Sequence, residues 1–253
     1  MCFVLDIYFF ISKNSELKIG LHHFRLDFSI VKEISSLGFV TMARQAITSV
    51  VYLLMNNILF GLGGEAMVAV YAIIGRMLMF ALFPVFGVTQ GFLPIAGFNY
   101  GAKKYQRVRE SIYTAIKYAA LLATIGFIGL MIFPVEIASL FLSSKAGISD
   151  SELAVNAYVL EHIPLAMRLV FAATPIIALQ LIGAAYFQAV GKAIPALLLT
   201  LTRQGFFFIP LILILPFYFD ELGVWMAFPI ADVLATIVTG YFLRKEIKKD
   251  LIF

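Results

Sequence analysis

The stretch VWMAFPIADVLATIVTGYFL, residues 224–243, decides the fold class of this chain. Its only charged side chain is that of Asp232. A helix of roughly 20 apolar residues, rising about 1.5 Å per residue, is long enough to cross the hydrocarbon core of a bilayer. The stretch therefore predicts a transmembrane helix with one carboxyl group near its centre.

Five more apolar stretches of this kind precede it. The full set is Ser36–Phe60, Met67–Phe98, Ser111–Phe133, Val155–Gln188, Ile194–Phe217 and Val224–Leu243. Apolar residues make up 62% of the 253 residues and charged residues only 13%, which is more apolar surface than a soluble domain of this size can bury. We therefore expect an all-α, polytopic membrane protein: a bundle of six transmembrane helices over 36–243, with a lead-in at 1–35 and a basic tail at 244–253.

Two of the stretches are longer than one crossing requires, and both contain proline. Residues 67–98 include Pro84 and Pro94, and residues 155–188 include Pro164 and Pro175. Because proline bends a helix more readily than it adds a crossing, we expect kinked or tilted helices here. The links between stretches are short and rich in Gly, Ser, Asn and Asp, and none is long enough for a separate soluble domain.

Lys and Arg are concentrated in alternate links. The segments on one predicted side of the membrane hold 13 of them, and those on the other side hold only Lys145. Because positively charged loops stay in the cytoplasm, both termini are predicted to be cytoplasmic, in a plasma or inner cell membrane. An even number of crossings requires the same result.

The first residues, Met1–Ile11, are apolar but too short to span a bilayer, and Asp6 interrupts them. Without the basic leader of a signal peptide, the segment is interpreted as the end of a preceding transmembrane helix. An amphipathic helix lying in the membrane interface is the alternative.

Polar side chains inside the apolar stretches are candidate functional residues, because they are costly to place in hydrocarbon. Asp232 is followed by Thr236 on the same helix face, a pattern that suits a proton or Na⁺ site as well as a structural hydrogen bond. Arg203-Gln204 repeats the pair Arg44-Gln45. Each arginine either contacts a substrate or gate, or extends its side chain to the interface.

Other polar residues allow two interpretations as well. Asn57 and Gln90 are amides on apolar helices, where they either line a cavity or join helices. Glu161 either faces a cavity or forms a salt bridge near the outer surface.

Several classes of function are excluded or disfavoured. Motifs for hydrolytic nucleophiles, zinc proteases, phosphate-binding loops and dinucleotide binding are missing from the sequence, so we expect no enzyme. The single cysteine, Cys2, excludes an internal disulfide and a thiolate cluster, and the three histidines suggest no metal centre or cofactor. The charges are too sparse for a nucleic-acid-binding face.

Four segments together resemble the multidrug and toxic compound extrusion (MATE) family. The longest runs from Gln90 through Asn99-Tyr100-Gly101 to Val108. The others are Tyr186–Lys192, Arg203–Pro210 and Gly223–Asp232. The resemblance covers about residues 12–250.

The resemblance implies a twelve-helix transporter built from two six-helix lobes, of which this chain is similar to the second. Such proteins exchange Na⁺ or H⁺ for small organic cations by alternating access. The chain would then need an N-terminal lobe, or a second copy, as its partner in the bilayer. Substrate cations would contact Gln45, Asn57, Gln90 and Arg203, with Asp232, Thr236 and Glu161 as candidates for the coupling cation.

One departure from the family leaves the coupling site open. Some members carry an acidic residue in the first helix of this lobe, where this chain has Arg44, Gln45 and Thr48 instead. Coupling would then reside in the other lobe, at Asp232, or nowhere in this chain. A flippase for lipid-linked oligosaccharides and a fragment that assembles without transport are the alternative functions.

Overall fold

The computed structural model describes Tyr8, residues 27–142 and residues 149–250, and helices joined by short turns make up these ranges, with no β-strand. Its helices are α1 (Phe28–Gly101), α2 (Tyr105–Ile132), α3 (Pro134–Ser139), α4 (Asp150–Phe171), α5 (Thr174–Ala189), α6 (Ala193–Ile214) and α7 (Pro216–Asp250). The chain divides into two compact units, Met1–Ser36 and Leu37–Phe253. The side-chain contacts, cores and pocket described below belong to the second unit. The predictions for Met1–Ile11, apart from Tyr8, and for Lys145 fall outside the described residues.

Helix α1 contains two of the predicted crossings. Its backbone leaves the helical conformation at Gly63 and Gly64, and Gly64 has φ +63° and ψ −152°, a region essentially reserved for glycine. The break separates a first limb, residues 28–62, from a second limb, residues 65–101. The predicted link at these glycines is therefore a sharp turn between two membrane-crossing helices.

The long predicted stretch Val155–Gln188 forms two helices, α4 and α5. They are separated only by Ala172 and Ala173, and Pro175 lies in the first turn of α5, where its missing N–H removes no helical hydrogen bond. Pro164 stays inside α4. The expected proline interruption thus falls at Pro175, and α5 continues the crossing that α4 begins.

The six crossings are the two limbs of α1, then α2, then α4 with α5, then α6 and α7. Helices α1, α2, α4, α6 and α7 are each long and apolar enough to cross a bilayer, and α5 is a shorter apolar helix. The prediction of an all-α bundle of six transmembrane helices is therefore confirmed. The break at Asp220 in α7 falls in the predicted link between Ile194–Phe217 and Val224–Leu243. The π-helical segment Thr202–Phe208 inside α6 was not predicted.

Two clusters of buried side chains hold the bundle together. The large-residue core includes Met55, Leu59, Met167, Phe171 and Trp225, all fully buried. The alanine-rich core includes small residues such as those at 96, 115, 119, 123, 178 and 185. Large side chains keep helices apart, whereas alanines let helix backbones approach closely.

The two ends of the bundle carry opposite charges. The basic end lies beside the alanine-rich core, where Tyr100, Ala189 and Ile247 pack together, and its charged groups include Lys103, Lys104, Arg107, Arg109, Lys192, Arg244, Lys245, Lys248 and Lys249. The acidic end lies beside the large-residue core, and its charged groups include Glu65, Glu136, Asp150, Glu152, Asp220 and Glu221. This separation matches the uneven distribution of Lys and Arg in the sequence.

Candidate functional site

An ion pair joins α6 to α7 within the bundle. Nε of Arg203 donates to Oδ1 of Asp232, and Nη2 of Arg203 lies 3.3 Å from Oδ2. Asp232 is 1% exposed, and the side chain of Arg203 is 17% exposed. From the sequence, Arg203 was assigned to substrate contact and Asp232 to cation coupling, whereas the structure brings the two together as one ion pair.

The local shape of α6 explains how Arg203 reaches this position. Arg203 lies in the π-helical segment Thr202–Phe208, and π-helical turns recur at functional sites because they redirect side chains. Two residues later, a Cβ at Gly205 would lie 3.0 Å from Cδ1 of Ile47. Glycine therefore lets α6 pack closely against the first limb of α1 beside the ion pair.

This close approach creates a polar contact between α6 and α1. The hydroxyl oxygen of Thr48 lies 2.8 Å from Oε1 of Gln204 and 2.9 Å from the carbonyl oxygen of Arg44. Because a hydroxyl carries one hydrogen, it donates to one of these two oxygens at a time. Thr48 thus couples the segment that carries Arg203 to the first limb of α1.

A small pocket opens beside the ion pair, with a volume of about 80 Å³. Aromatic rings form one wall: Phe208 and Phe228 lie 4.6 Å apart between ring centroids, and Tyr71 contacts Phe228 at 6.5 Å. The complete lining is Thr48, Val51, Tyr52, Tyr71, Leu78, Arg203, Gln204, Phe208, Phe228 and Asp232. Aromatic faces next to a carboxylate form an environment that attracts organic cations.

A polar stripe on the first limb of α1 runs past this pocket. Gln45, Ser49, Tyr52 and Asn56 are exposed and follow one another at intervals of four, three and four residues, so they share one helix face. Polar groups at membrane depth are too costly to leave against lipid. This face therefore needs protein or water over it when the lobe is in a bilayer.

The predicted substrate-contact residues are not gathered into one site. Arg203 lines the pocket; Gln45 lies exposed on the polar stripe outside it. Asn57 is exposed beside the apolar side chains of Leu53 and Phe60 on that helix, and Gln90 is exposed on the second limb. Neither lines the pocket.

The candidates for cation coupling are also separated. Asp232 lines the pocket, and Thr236 is half-buried one turn farther along α7. Glu161 is exposed on α4, next to His162, whose ring stacks on Tyr158 with centroids 3.8 Å apart. Among the described residues, no three His, Cys, Asp or Glu side chains converge as metal ligands would.

Sequence reasoning missed Thr48, Tyr52 and Tyr71 as lining residues, and it named Gln204 only as the amide that follows Arg203. The repeated pair Arg44-Gln45 and Arg203-Gln204 pointed to the correct helices, but the contact joins Thr48 to Gln204 instead. The spacing of Arg44, Thr48 and Tyr52 at four-residue intervals was the available signal, because it places all three on one side of the helix.

The fold and site define a polytopic membrane protein with a charged pair inside its bundle. A sequence model of the MatE family matches residues 41–214. The chain therefore belongs to the MatE family.

Solved structures support the same assignment. The chain is 33% identical to the MATE multidrug transporter DinF-BH, with a TM-score of 0.80 over 99% of this chain and 54% of that one. It superposes on an outward-facing multidrug resistance MATE transporter with a TM-score of 0.85 and 22% identity, covering 97% of this chain and 53% of that one.

A third structure is a transporter of the MOP superfamily from Pyrococcus furiosus. Its TM-score is 0.86 at 22% identity, over 97% of this chain and 53% of that chain. At this identity the likeness shows the fold alone. The chain thus spans about half the length of the solved transporters that it matches, and no curated protein matches it.

Proposed function

We propose that this chain is the second lobe of a cation-coupled multidrug exporter that expels small organic cations by alternating access. The observation that carries the proposal is the Arg203–Asp232 pair, buried between α6 and α7 and open to an aromatic pocket. Family membership and the likeness to multidrug MATE transporters support it.

The pair suggests a simple exchange mechanism. An ionised carboxylate inside a bundle is costly unless a positive group accompanies it. Arg203 provides that group in this structure; a proton, Na⁺ or a cationic substrate would provide it once Arg203 moves away. Competition for Asp232 would then link cation entry to release of substrate, because only one partner at a time neutralises the carboxylate.

A second lobe completes the substrate site in this proposal. The pocket of about 80 Å³ is smaller than the 300–1,000 Å³ that is typical for drug-sized ligands. The stripe from Gln45 to Asn56 needs a cover, and the matched transporters are about twice as long as this chain. An N-terminal lobe, or a second copy of this chain, would provide the opposite wall of the cavity.

The orientation in the membrane follows from the charged ends. We place the basic end, with Lys103, Arg107 and the tail after Leu243, in the cytoplasm of a plasma or inner membrane. Both termini would then be cytoplasmic.

The charge of the pocket favours organic cations over a lipid-linked oligosaccharide. Among the described lining residues, the single arginine is balanced by the single aspartate, and aromatic rings form much of the remaining wall. A carrier of anionic lipid-linked sugar requires an excess of positive charge to bind the phosphates. The oligosaccharide alternative therefore has less support.

Replacing Asp232 by Asn tests the proposal. The chain is expressed, together with the coding sequence directly upstream of it, in bacteria that lack their major efflux pumps. Ethidium efflux is then followed by fluorescence under an imposed pH or Na⁺ gradient. Gradient-driven efflux should be lost in Asp232→Asn and kept in Glu110→Gln, a carboxylate exposed at the basic end. Unchanged efflux in Asp232→Asn would remove this residue from the mechanism, and no efflux from the unmodified protein would support the non-transporting alternative.

A further inference from the structure

A polar stripe on α7 leads from Asp232 toward the basic end. Asp232, Thr236, Thr239 and Glu246 follow at intervals of four, three and seven residues, which keeps them on one helix face. Asp232 holds Arg203 at one end of the stripe, and Glu246 holds Lys192 at the other. The two threonines lie between these ion pairs.

The two threonine hydroxyls of this stripe are buried without protein partners among the described residues. No described residue hydrogen-bonds to Oγ1 of Thr236 or Thr239, and the same holds for Oε1 of Gln180 on α5. Thr239 is fully buried, and Gln180 is only 4% exposed. In contrast, the hydroxyls of Thr89, Thr124 and Thr202 donate to carbonyl oxygens four residues earlier in their own helices.

Helix packing brings Gln180 to the level of Thr236. Helices α5 and α7 run in the same direction, because Lys192 just after α5 pairs with Glu246 near the end of α7. They touch where a Cβ at Gly183 would collide with Cγ2 of Thr239. Gln180 and Thr236 each lie three residues before this contact, at the same height along the two helices.

Buried polar atoms of this kind normally bind water when protein partners are missing. Along α7, the helical rise from Asp232 to Thr236 is about 6 Å, and the rise from Thr236 to Thr239 is about 4.5 Å. One water making two hydrogen bonds of about 2.8 Å reaches across about 5.6 Å, which is close to either rise. The spacing therefore suits a short file of single water molecules.

We propose that water bound between α5 and α7, held by Thr236, Thr239 and Gln180, forms the route by which protons pass between Asp232 and the basic end. This proposal rests on the proposed function, because the route carries protons to and from Asp232. A proton leaving the Asp232 carboxyl joins the nearest water, which passes one of its own protons to the next. Asp232 becomes a carboxylate, and only O–H bonds break and form.

Leu243 closes this route on the side of the basic end. It lies four residues after Thr239 on the same face, is 3% exposed, and is followed by Glu246 three residues later. An apolar side chain at this position interrupts the file of water. Protons would pass only when the side chain of Leu243 moves out of the file.

Hydroxyl-radical labelling of the unmodified 253-residue chain in lipid nanodiscs tests the water directly, without any transport assay. X-rays generate radicals from bound water, and these oxidise neighbouring side chains. Leu243 should be oxidised about fivefold faster than Leu199, a leucine of similar burial (2% exposed) in the same alanine-rich core. Equal rates would overturn the proposal.

Paired variants identify the groups that hold the water. Thr236→Val with Thr239→Val should lower oxidation of Leu243 to the rate of Leu199, whereas Thr124→Val, which removes a hydroxyl satisfied within α2, should leave it unchanged. If Na⁺ in place of choline lowers the labelling, the oxygens bind an alkali cation and the water route is wrong. Leu243 could still be oxidised faster than Leu199 while Asp232→Asn leaves efflux unchanged. The water would then be present between α5 and α7 but would not couple proton movement to transport. In that case both the proton route and the proposed role of Asp232 would be wrong.

Discussion

The same helices pack in two different ways at the two ends of the bundle. In the alanine-rich core, small residues such as Ala119 and Gly183 bring neighbouring backbones close together. In the large-residue core, large side chains such as those of Met55, Met77 and Trp225 fill the space between the helices. The pocket and the Arg203–Asp232 pair border the large-residue core, where Val51, Tyr71, Phe208 and Phe228 belong to both.

The difference shows how one lobe combines a fixed part with an adaptable part. Close-packed alanines leave little room for a change of volume, whereas methionine is flexible and fills irregular spaces. We therefore expect the alanine-rich core to move as a unit, and the large-residue core to rearrange around the pocket. Three substitutions, in order of falling effect, probe this contrast.

The largest effect is expected where the ion pair is broken. Asp232→Leu should lower the free energy of unfolding by about 3–5 kcal/mol, because the guanidinium of Arg203 keeps its charge and loses its buried partner. Titration of the purified chain from mild detergent into dodecyl sulfate, followed by Trp225 fluorescence, measures the change.

The double variant Asp232→Leu with Arg203→Met is the matched control. Removing both charges should restore most of the lost stability, since no buried charge remains unpaired. Additive losses would show that the two residues act separately and that the pair is not a single unit.

An intermediate effect is expected in the alanine-rich core. Gly183→Ala places a methyl group against Thr239, and overpacking of this kind costs about 1–3 kcal/mol. Gly87→Ala on the second limb of α1 has no heavy atom within 4 Å of its new Cβ and should be neutral or slightly stabilising. Equal stabilities of the two variants in the same titration would contradict the tight packing of α5 on α7.

The smallest effect is expected at the basic end. The Lys192–Glu246 pair is partly exposed, with side-chain exposures of 32% and 14%. Glu246→Gln should therefore cost no more than about 1 kcal/mol, and the difference should shrink as salt is added. A loss as large as that of Asp232→Leu would mean that this end is as sensitive as the pocket.

The fold could be predicted from the sequence because the main constraint on a membrane helix is the contact of its apolar side chains with lipid. Long apolar stretches such as Val224–Leu243 predict a crossing by length alone, and Pro175 predicts an interruption by its chemistry. Family motifs such as the one at Gln90–Val108 indicated that the chain resembles the second lobe of a two-lobed transporter. These features are local, so no knowledge of neighbouring helices was needed.

The site was predicted only in part because its contacts are between helices. Arg203 and Asp232 were each identified from the cost of a charge in hydrocarbon, but their pairing depends on the π-helical turn in α6 and on the approach of α6 to Ile47. Asn57 and Gln90 were selected by residue type, which does not show the direction in which a side chain points. Asn56, one residue earlier, lies on the stripe with Gln45.

The most direct measurement compares two modes of transport in Asp232→Asn. Gradient-driven uptake of ethidium requires a coupling cation, whereas counterflow exchange of labelled for unlabelled ethidium requires only binding and alternating access. With both assayed in inverted vesicles, we expect counterflow to persist while gradient-driven uptake is lost, because the amide neither releases a proton nor binds Na⁺ with a full negative charge. Persistence of both modes would contradict the role of Asp232 as the coupling group.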